Sequence, residues 1–141
     1  METLTIDVGQ QARLRLESIG GDLRLVGQPG TRLRAQAPSK GDLRVVARGG
    51  ETVITCASSC MLFLPLDADV AVEAVTGDVR AHALAGLLRA GRVDGDVSVR
   101  RCAALQAETI AGDLTVRRLE RDLRVKQIGG DGRLEQIDGS V

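Results

Sequence analysis

The sequence predicts an all-β protein, a single-domain β-solenoid of the parallel β-helix or β-roll type over residues 1–141. Three observations support this prediction. A nine-residue unit that begins with Gly-Asp-Val or a close variant recurs from Gly77 to the C-terminus, and a fixed period is typical of solenoids. Within each unit, apolar and polar residues alternate over the third to fifth positions, as in a strand with one buried face. Recurrent glycine and β-branched residues disfavour a helix.

The units place apolar residues at three fixed positions, which we predict to form the buried core. The units begin at Gly77, Gly86, Gly95, Ala103, Gly112, Arg121, Gly130 and Gly139, and the unit from Gly95 is one residue short. The third position holds Val79, Leu88, Val97, Leu105, Leu114 and Leu123. The fifth holds Ala81, Ala90, Val99, Ala107, Val116 and Val125. The eighth holds Leu84, Val93, Cys102, Ile110, Leu119, Ile128 and Ile137.

The glycine positions agree best with two units in each coil, which gives two strands and about 18 residues per coil. In such a coil Gly77, Gly95, Gly112 and Gly130 form one column. Three units per coil would instead place Arg121 next to Gly95. Because glycine adopts positive φ without steric cost, we expect this column to consist of turns with positive φ.

Residues 1–70 are predicted to form irregular coils of the same kind, and residues 71–141 the regular repeats. The motif recurs at Gly21-Asp22-Leu23 and at Gly41-Asp42-Leu43. Gln28-Pro29-Gly30 predicts a tight turn. Residues 52–56 alternate like a strand, and the apolar run of residues 61–64 is stopped by Pro65. No linker divides the chain into domains.

The composition limits the classes of partner. The 19 basic and 19 acidic residues cancel, so neither a nucleic acid nor an anionic membrane is favoured. Phe63 is the one aromatic residue, which also argues against single-stranded nucleic acid. The sequence contains no signal-peptide pattern and no apolar run long enough for a membrane helix. We therefore expect a cytoplasmic protein, or envelope association if a leader precedes this sequence in the cell.

The passage from Pro65 to Val79 is the most specific piece of the chain. Its pattern is Pro-x-Asp-x-x-x-x-Val-x-x-Val-x-Gly-Asp-Val, and Gly-Asp-Val units follow it. With Gly21-Asp22-Leu23 and the strand at residues 52–55, it resembles a bacterial adhesin family of unknown function. The resemblance implies a β-solenoid, often in envelope-associated proteins, and provides no catalytic residues to transfer.

The residues that could carry chemistry have structural interpretations. His82, the one histidine, occupies a sixth position that should face solvent, with no nucleophile or carboxylate fixed beside it, so we predict no enzyme activity. The column of Asp78, Asp96, Asp113 and Asp131 could bind calcium, but calcium-binding nonapeptides carry aspartate at the sixth position. Turn capping by these side chains is the favoured interpretation, and we predict no cofactor and no metal.

The three cysteines are predicted to be mainly structural. Cys102 occupies a core position and should be a buried thiol. Cys56 and Cys60 flank residues 57–59, and if these form a turn, the two could form a disulfide. In the cytoplasm they would stay reduced, and zinc is disfavoured because only two ligands are at hand.

These observations favour a non-enzymatic structural or protein-interaction module, with an envelope-associated adhesin or surface-binding domain as the alternative. The sequence stops as a new unit begins at Gly139, which would leave Ile128, Leu134 and Ile137 open on one side. We expect this edge to be covered by another copy of the protein, giving a dimer or an end-to-end assembly.

Overall fold

The computed structural model describes residues 2–7, 13–37, 41, 43–48, 51–66, 68–121 and 123–137. These residues form strands and connecting bends and contain no helix, which confirms the all-β prediction. The strands are β1 (Glu2–Asp7), β2 (Arg13–Ile19), β3 (Leu23–Gln28), β4 (Arg32–Ala37), β5 (Leu43–Arg48), β6 (Glu51–Cys56), β7 (Cys60–Pro65), β8 (Asp69–Val75), β9 (Val79–Val93), β10 (Val97–Ile110), β11 (Leu114–Leu119), β12 (Leu123–Ile128) and β13 (Gly132–Ile137). A helix that could span a membrane is not found in this part of the chain.

The strands join into one 13-stranded sheet that curls over its own apolar side. The curl arises in the long strands β9 and β10, because the two halves of each pair with different neighbours. Residues 79–82 of β9 pair with β3, whereas residues 88–93 pair with β8. We call the side with β3, β7 and β11 the first face and the side with β2, β8 and β12 the second face. Their inner side chains meet in one hydrophobic core.

Strands β9 to β13 pair in parallel, and their partners are 17 or 18 residues apart. That interval is the length of two nonapeptides. The register between β9 and β10 shifts between Cys102 and Ala104, which is where the sequence lacks one residue. The missing residue is therefore absorbed at a corner, and the strands on both sides keep their inward and outward positions.

The burial of the repeat confirms the three predicted core positions. From β9 to β11, every third, fifth and eighth residue named above is at most 5% exposed. At β12, Val125 and Ile128 are only half-buried, although both pack against the core. The side chain of Ile137 lies outside the described residues.

The N-terminal part is not stacked in sequence order. Strand β2 lies between β6 and β8, and β3 lies between β7 and β9. Strands β1, β4 and β5 pair antiparallel, unlike the repeats. Residues 13–28 are thus an inner layer of the sheet rather than its beginning.

The local predictions for this part agree with the strands. The strand predicted at residues 52–56 is β6, and the apolar run of residues 61–64 lies in β7, which ends at Pro65. The turn predicted at residues 28–30 falls between β3 and β4, where Gly30 has a φ of 121°. The Gly21 motif joins the repeats, since Leu23 pairs with Val79, whereas the Gly41 motif leads into antiparallel β5. Asp42 lies outside the described residues.

Candidate functional site

One corner of the sheet is built from the Gly-Asp pairs of five successive layers, and we call it the glycine–aspartate corner. It contains Gly21-Asp22, Gly77-Asp78, Gly95-Asp96, Gly112-Asp113 and Gly130-Asp131. Each glycine N–H after the first donates to the carbonyl of the glycine in the preceding layer, over 3.0–3.2 Å. The glycine column expected for two units per coil is therefore present. On the opposite corner the N–H of Arg121 donates to the carbonyl of Ala103, not to a glycine of this column.

The aspartate side chains continue the same pattern. Oδ1 of Asp78 accepts the backbone N–H of Asp96 over 2.8 Å, and Oδ1 of Asp96 accepts that of Asp113 over 2.7 Å. The ladder begins at the hydroxyl of Ser59, which accepts the N–H of Asp22 over 3.2 Å. Capping is thus the role of these carboxylates. The N–H that is capped belongs to the next layer, however, and not to a local turn as the sequence suggested.

Glycine is required in this corner because a Cβ atom would not fit, and not because the backbone has a positive φ. A Cβ on Gly95 would collide with Oδ1 of Asp78 and with the carbonyl of Gly77, and the other glycines of the column meet the same obstacles. The expected positive φ is wrong for this column. Among the described residues, positive φ occurs at Gly30, Gly41, Ala83, Arg101 and Arg118.

Ala83, Arg101 and Arg118 form a second column, at the seventh position of the unit, with φ of 58°, 54° and 60°. The left-handed residue bends the strand and lets two successive side chains point outward. Adjacent strands bend at the same place, so the register is kept, and we call this bend the bulge. The burial pattern agrees, because Arg100 and Arg101 are both exposed between buried Val99 and Cys102. Sequence analysis missed this bulge. The gap between the fifth and eighth apolar positions, one residue too long for strict alternation, signals an interruption of the strand. The same gap occurs between Ala107 and Ile110 without a left-handed residue, so it does not predict the backbone conformation.

A basic surface lies on the first face at the bulges, and we call it the arginine strip. It consists of His82, Arg100, Arg101, Arg117 and Arg118. Arg100 pairs in register with His82 on one side and with Arg117 on the other. These five residues and Glu135 line a hollow of about 820 Å³. His82 is exposed, as the sequence predicted, and its neighbour along the strip is an arginine.

Among the described residues that line the arginine strip, Glu135 is the one carboxylate. Nε of Arg117 lies 3.5 Å from a carboxylate oxygen of Glu135, and this pair closes the strip at β13. In the described part of the chain, Arg100 and Arg101 have no acidic partner. Adjacent Arg100 and Arg101 therefore give this part of the strip a positive charge.

The three cysteines are buried free thiols in this structure. Burial raises the pKa of Cys60 to about 12, and the thiol of Cys56 beside it adds to the shift. Burial likewise raises the pKa of Cys102 to about 11. Thiols held protonated are poor nucleophiles and poor metal ligands. Residues 57–59 form the bend between β6 and β7, so Cys56 and Cys60 meet as expected. A disulfide between them stays a prediction.

The two ends of the sheet expose apolar side chains. Among the described residues, the exposed large apolar side chains are Ile6 at 36%, Val46 at 50% and Leu134 at 40%. Each lies on a strand that, in this part of the chain, pairs on one side only: β1, β5 and β13. A hollow of about 1030 Å³ reaches the core between β12 and β13, where its lining includes Leu114, Leu123, Val125, Ile128, Gly132 and Leu134. Open strand edges with apolar side chains are typical sites of strand addition.

The comparisons with known proteins do not indicate a function, so the function has to be inferred from the geometry. No protein-family model matches the chain, and a search of curated proteins gives no match.

Proposed function

We propose that this protein is a non-enzymatic structural module, a two-stranded β-solenoid with coils of 17 or 18 residues that associates end to end with further copies of itself. The solenoid interpretation is supported by the constant parallel register of β9 to β13 and by the repeating glycine–aspartate corner. Each layer of this part bonds to its neighbours through the same contacts. Such arrays gain stability with every layer added.

The non-enzymatic interpretation is supported by the contacts of the side chains that could take part in catalysis. The aspartate carboxylates accept backbone N–H groups, and the thiols of Cys60 and Cys102 are held protonated in the core. Both sets therefore act in folding.

The observation that carries end-to-end association is the position of the exposed apolar side chains. Ile6, Val46 and Leu134 all lie on strands at the ends of the sheet. In the described residues, each end of the sheet thus has a strand edge without a neighbour and exposed apolar side chains. The end of one molecule can therefore cover the opposite end of the next molecule. Because the two ends differ, the contact is heterologous, and repeated contacts build a chain of molecules rather than a closed dimer.

Sedimentation velocity over a range of protein concentrations tests this proposal. We expect the wild-type sedimentation coefficient to rise with concentration. Val46→Glu and Leu134→Glu should each abolish this rise, because a charge on an edge strand blocks edge-to-edge pairing. The control Ser98→Glu adds the same charge at an exposed position in the middle of the array and should associate like the wild type. A wild-type monomer at all concentrations would contradict the proposal.

A surface-binding role is a second candidate, and the arginine strip favours it. The strip lies on the outer side of the first face, whereas end-to-end association would use the strand edges of β1, β5 and β13, so both roles are geometrically compatible.

A further inference from the structure

The glycine–aspartate corner ends at Asp131, which, among the described residues, lacks two contacts that every earlier aspartate of the corner makes. Each earlier carboxylate accepts the N–H of the aspartate in the next layer. The N–H of the residue after each earlier aspartate donates to the carbonyl of that next aspartate, as Val97 does to Asp113 over 2.8 Å. In the described part of the chain no layer follows Asp131, so its carboxylate and the N–H of Gly132 have no such partner.

The residue that follows Asp131 also differs from its equivalents in the other layers. The earlier aspartates are followed by apolar residues of the core: Leu23, Val79, Val97 and Leu114. Gly132 is exposed instead, and a Cβ at this position would have only Cδ1 of Ile128 nearby, at 3.5 Å. Because glycine has no side chain and a permissive backbone, its nitrogen can approach the preceding side chain more easily than that of valine or leucine.

An open Asp-Gly pair can rearrange without any reactant other than water. The backbone nitrogen of Gly132 attacks Cγ of Asp131, so that an N–Cγ bond forms, and the hydroxyl of the carboxyl group leaves as water with the amide proton. Water then opens the resulting succinimide ring. Opening at Cγ returns aspartate, whereas opening at the main-chain carbonyl leaves the chain linked through Cγ, which is isoaspartate. The mass of the protein is unchanged.

The same dipeptide occurs at Asp94-Gly95, where the fold blocks this reaction. The N–H of Gly95 donates to the carbonyl of Gly77 over 3.2 Å, and Oδ1 of Asp94 accepts from Nε of Arg92 over 3.2 Å. The backbone of Gly77 packs so closely on Gly95 that not even a Cβ would fit. The nitrogen of Gly95 can therefore attack only after this layer has opened locally.

We propose that Asp131-Gly132 is a modification site, at which the folded protein converts spontaneously to isoaspartate, whereas Asp94-Gly95 is protected. The product has one more carbon atom in the backbone between these two residues. It also displaces the main-chain carbonyl of Asp131, which accepts the N–H of Leu114 over 2.9 Å, so the pairing of β13 with β11 is disturbed where β13 begins. This inference goes beyond the proposed association and does not depend on it, because the reaction takes place within a single molecule.

Peptide mapping of the full chain after incubation at physiological temperature and pH tests the inference. Dilute protein is used, so that β13 stays uncovered whether or not the molecules associate at higher concentration. Trypsin then releases residues 93–100 and residues 127–133 as separate peptides, and residues 134–141 carry the remaining Asp-Gly pair, Asp138-Gly139, which lies outside the described residues. Isoaspartate is measured as a second chromatographic peak of the same mass that accepts a methyl group from S-adenosylmethionine with an isoaspartyl methyltransferase.

In the folded protein we expect isoaspartate to accumulate at least about fivefold faster in residues 127–133 than in residues 93–100, because the hydrogen bond of Gly95 must open first. In guanidinium chloride, which unfolds the chain, the two peptides should convert at similar rates. Gly132→Ala should slow the conversion of residues 127–133, since its Cβ hinders the approach of the nitrogen, and should leave residues 93–100 unchanged. Circular dichroism checks that this variant is folded.

Four results would overturn the inference. The folded protein forms no isoaspartate in residues 127–133, or the two peptides convert equally fast in the folded protein. The difference between the peptides persists in guanidinium chloride, which would assign it to the local sequence and not to the fold. Gly132→Ala converts as fast as the wild type.

Discussion

At the scale of residues, glycine and aspartate in the corner are required together. The glycine leaves the space into which the aspartate carboxylate of the preceding layer projects, and that carboxylate accepts the next aspartate N–H. These hydrogen bonds are exposed to solvent, and a typical protein hydrogen bond contributes about 0.5–1.5 kcal/mol, so each pair has a measurable effect on the stability of its layer.

Gly95→Ala should destabilise the protein by about 2 kcal/mol, because the added Cβ overlaps Oδ1 of Asp78 and displaces the cap of Asp96. Gly132→Ala is the matched control. Its Cβ would lie 3.5 Å from Cδ1 of Ile128, an ordinary contact, and we expect unchanged or slightly raised stability. Urea unfolding of both variants measures the difference. Equal losses would show that glycine is required for another reason.

The buried thiols predict a loss of stability at alkaline pH. The pKa values of Cys60 and Cys102 are raised from 9.0 to about 12 and about 11, so the unfolded chain releases these protons at lower pH than the folded protein. Their contribution is fully present below pH 9 and is lost as the pH rises through the folded values. The chain has no tyrosine, so no phenol group titrates in the same pH range.

Urea unfolding at pH 8 and pH 10 measures this effect. The variant Cys60→Ala/Cys102→Ala should be less stable at pH 8 because of the cavities, but should lose less stability between the two values than the wild type. An equal loss in both proteins would contradict the assignment.

At the scale of elements, β11 and the first-face halves of β9 and β10 are short alternating segments that end in a bulge. The segment from Val97 to Val99 alternates strictly, and the left-handed Arg101 then restores the inward direction for Cys102. The bulge also places two arginines together at the surface of β10.

The register of β11 gives a paired test of this arrangement. Leu114→Asp should destabilise the protein by at least about 3 kcal/mol, because an unpaired carboxylate would enter the core. Thr115→Asp should change stability by no more than about 0.5 kcal/mol, since this half-buried side chain pairs in register with Arg133 and Ser98. Thermal unfolding compares the two. Similar shifts would contradict the assignment of Leu114 as inward and Thr115 as outward.

At the scale of the whole molecule, the sequence predicts the repeat better than the order of its layers. The core positions follow from local alternation, so Val97, Leu105 and Leu114 could be assigned directly. The interruption of the strand at the bulge has a sequence signal, the gap between Val99 and Cys102. The place of β2 between β6 and β8 has none, because it depends on pairing between segments that no local pattern connects. Similarly, the hydrogen bond from Asp78 N–H to Asp22 spans 56 positions.

The inner position of β2 and β3 affects the synthesis of the protein. These strands leave the ribosome early, yet β6 and β7 on one side and β8 and β9 on the other are made later. During translation their hydrogen-bonding edges are open to other nascent chains, which is a condition that favours misassembly. A ribosome that stalls before Val79 would hold a chain in which β3 still lacks one of its two neighbours, so slow translation of this region should increase the need for chaperones.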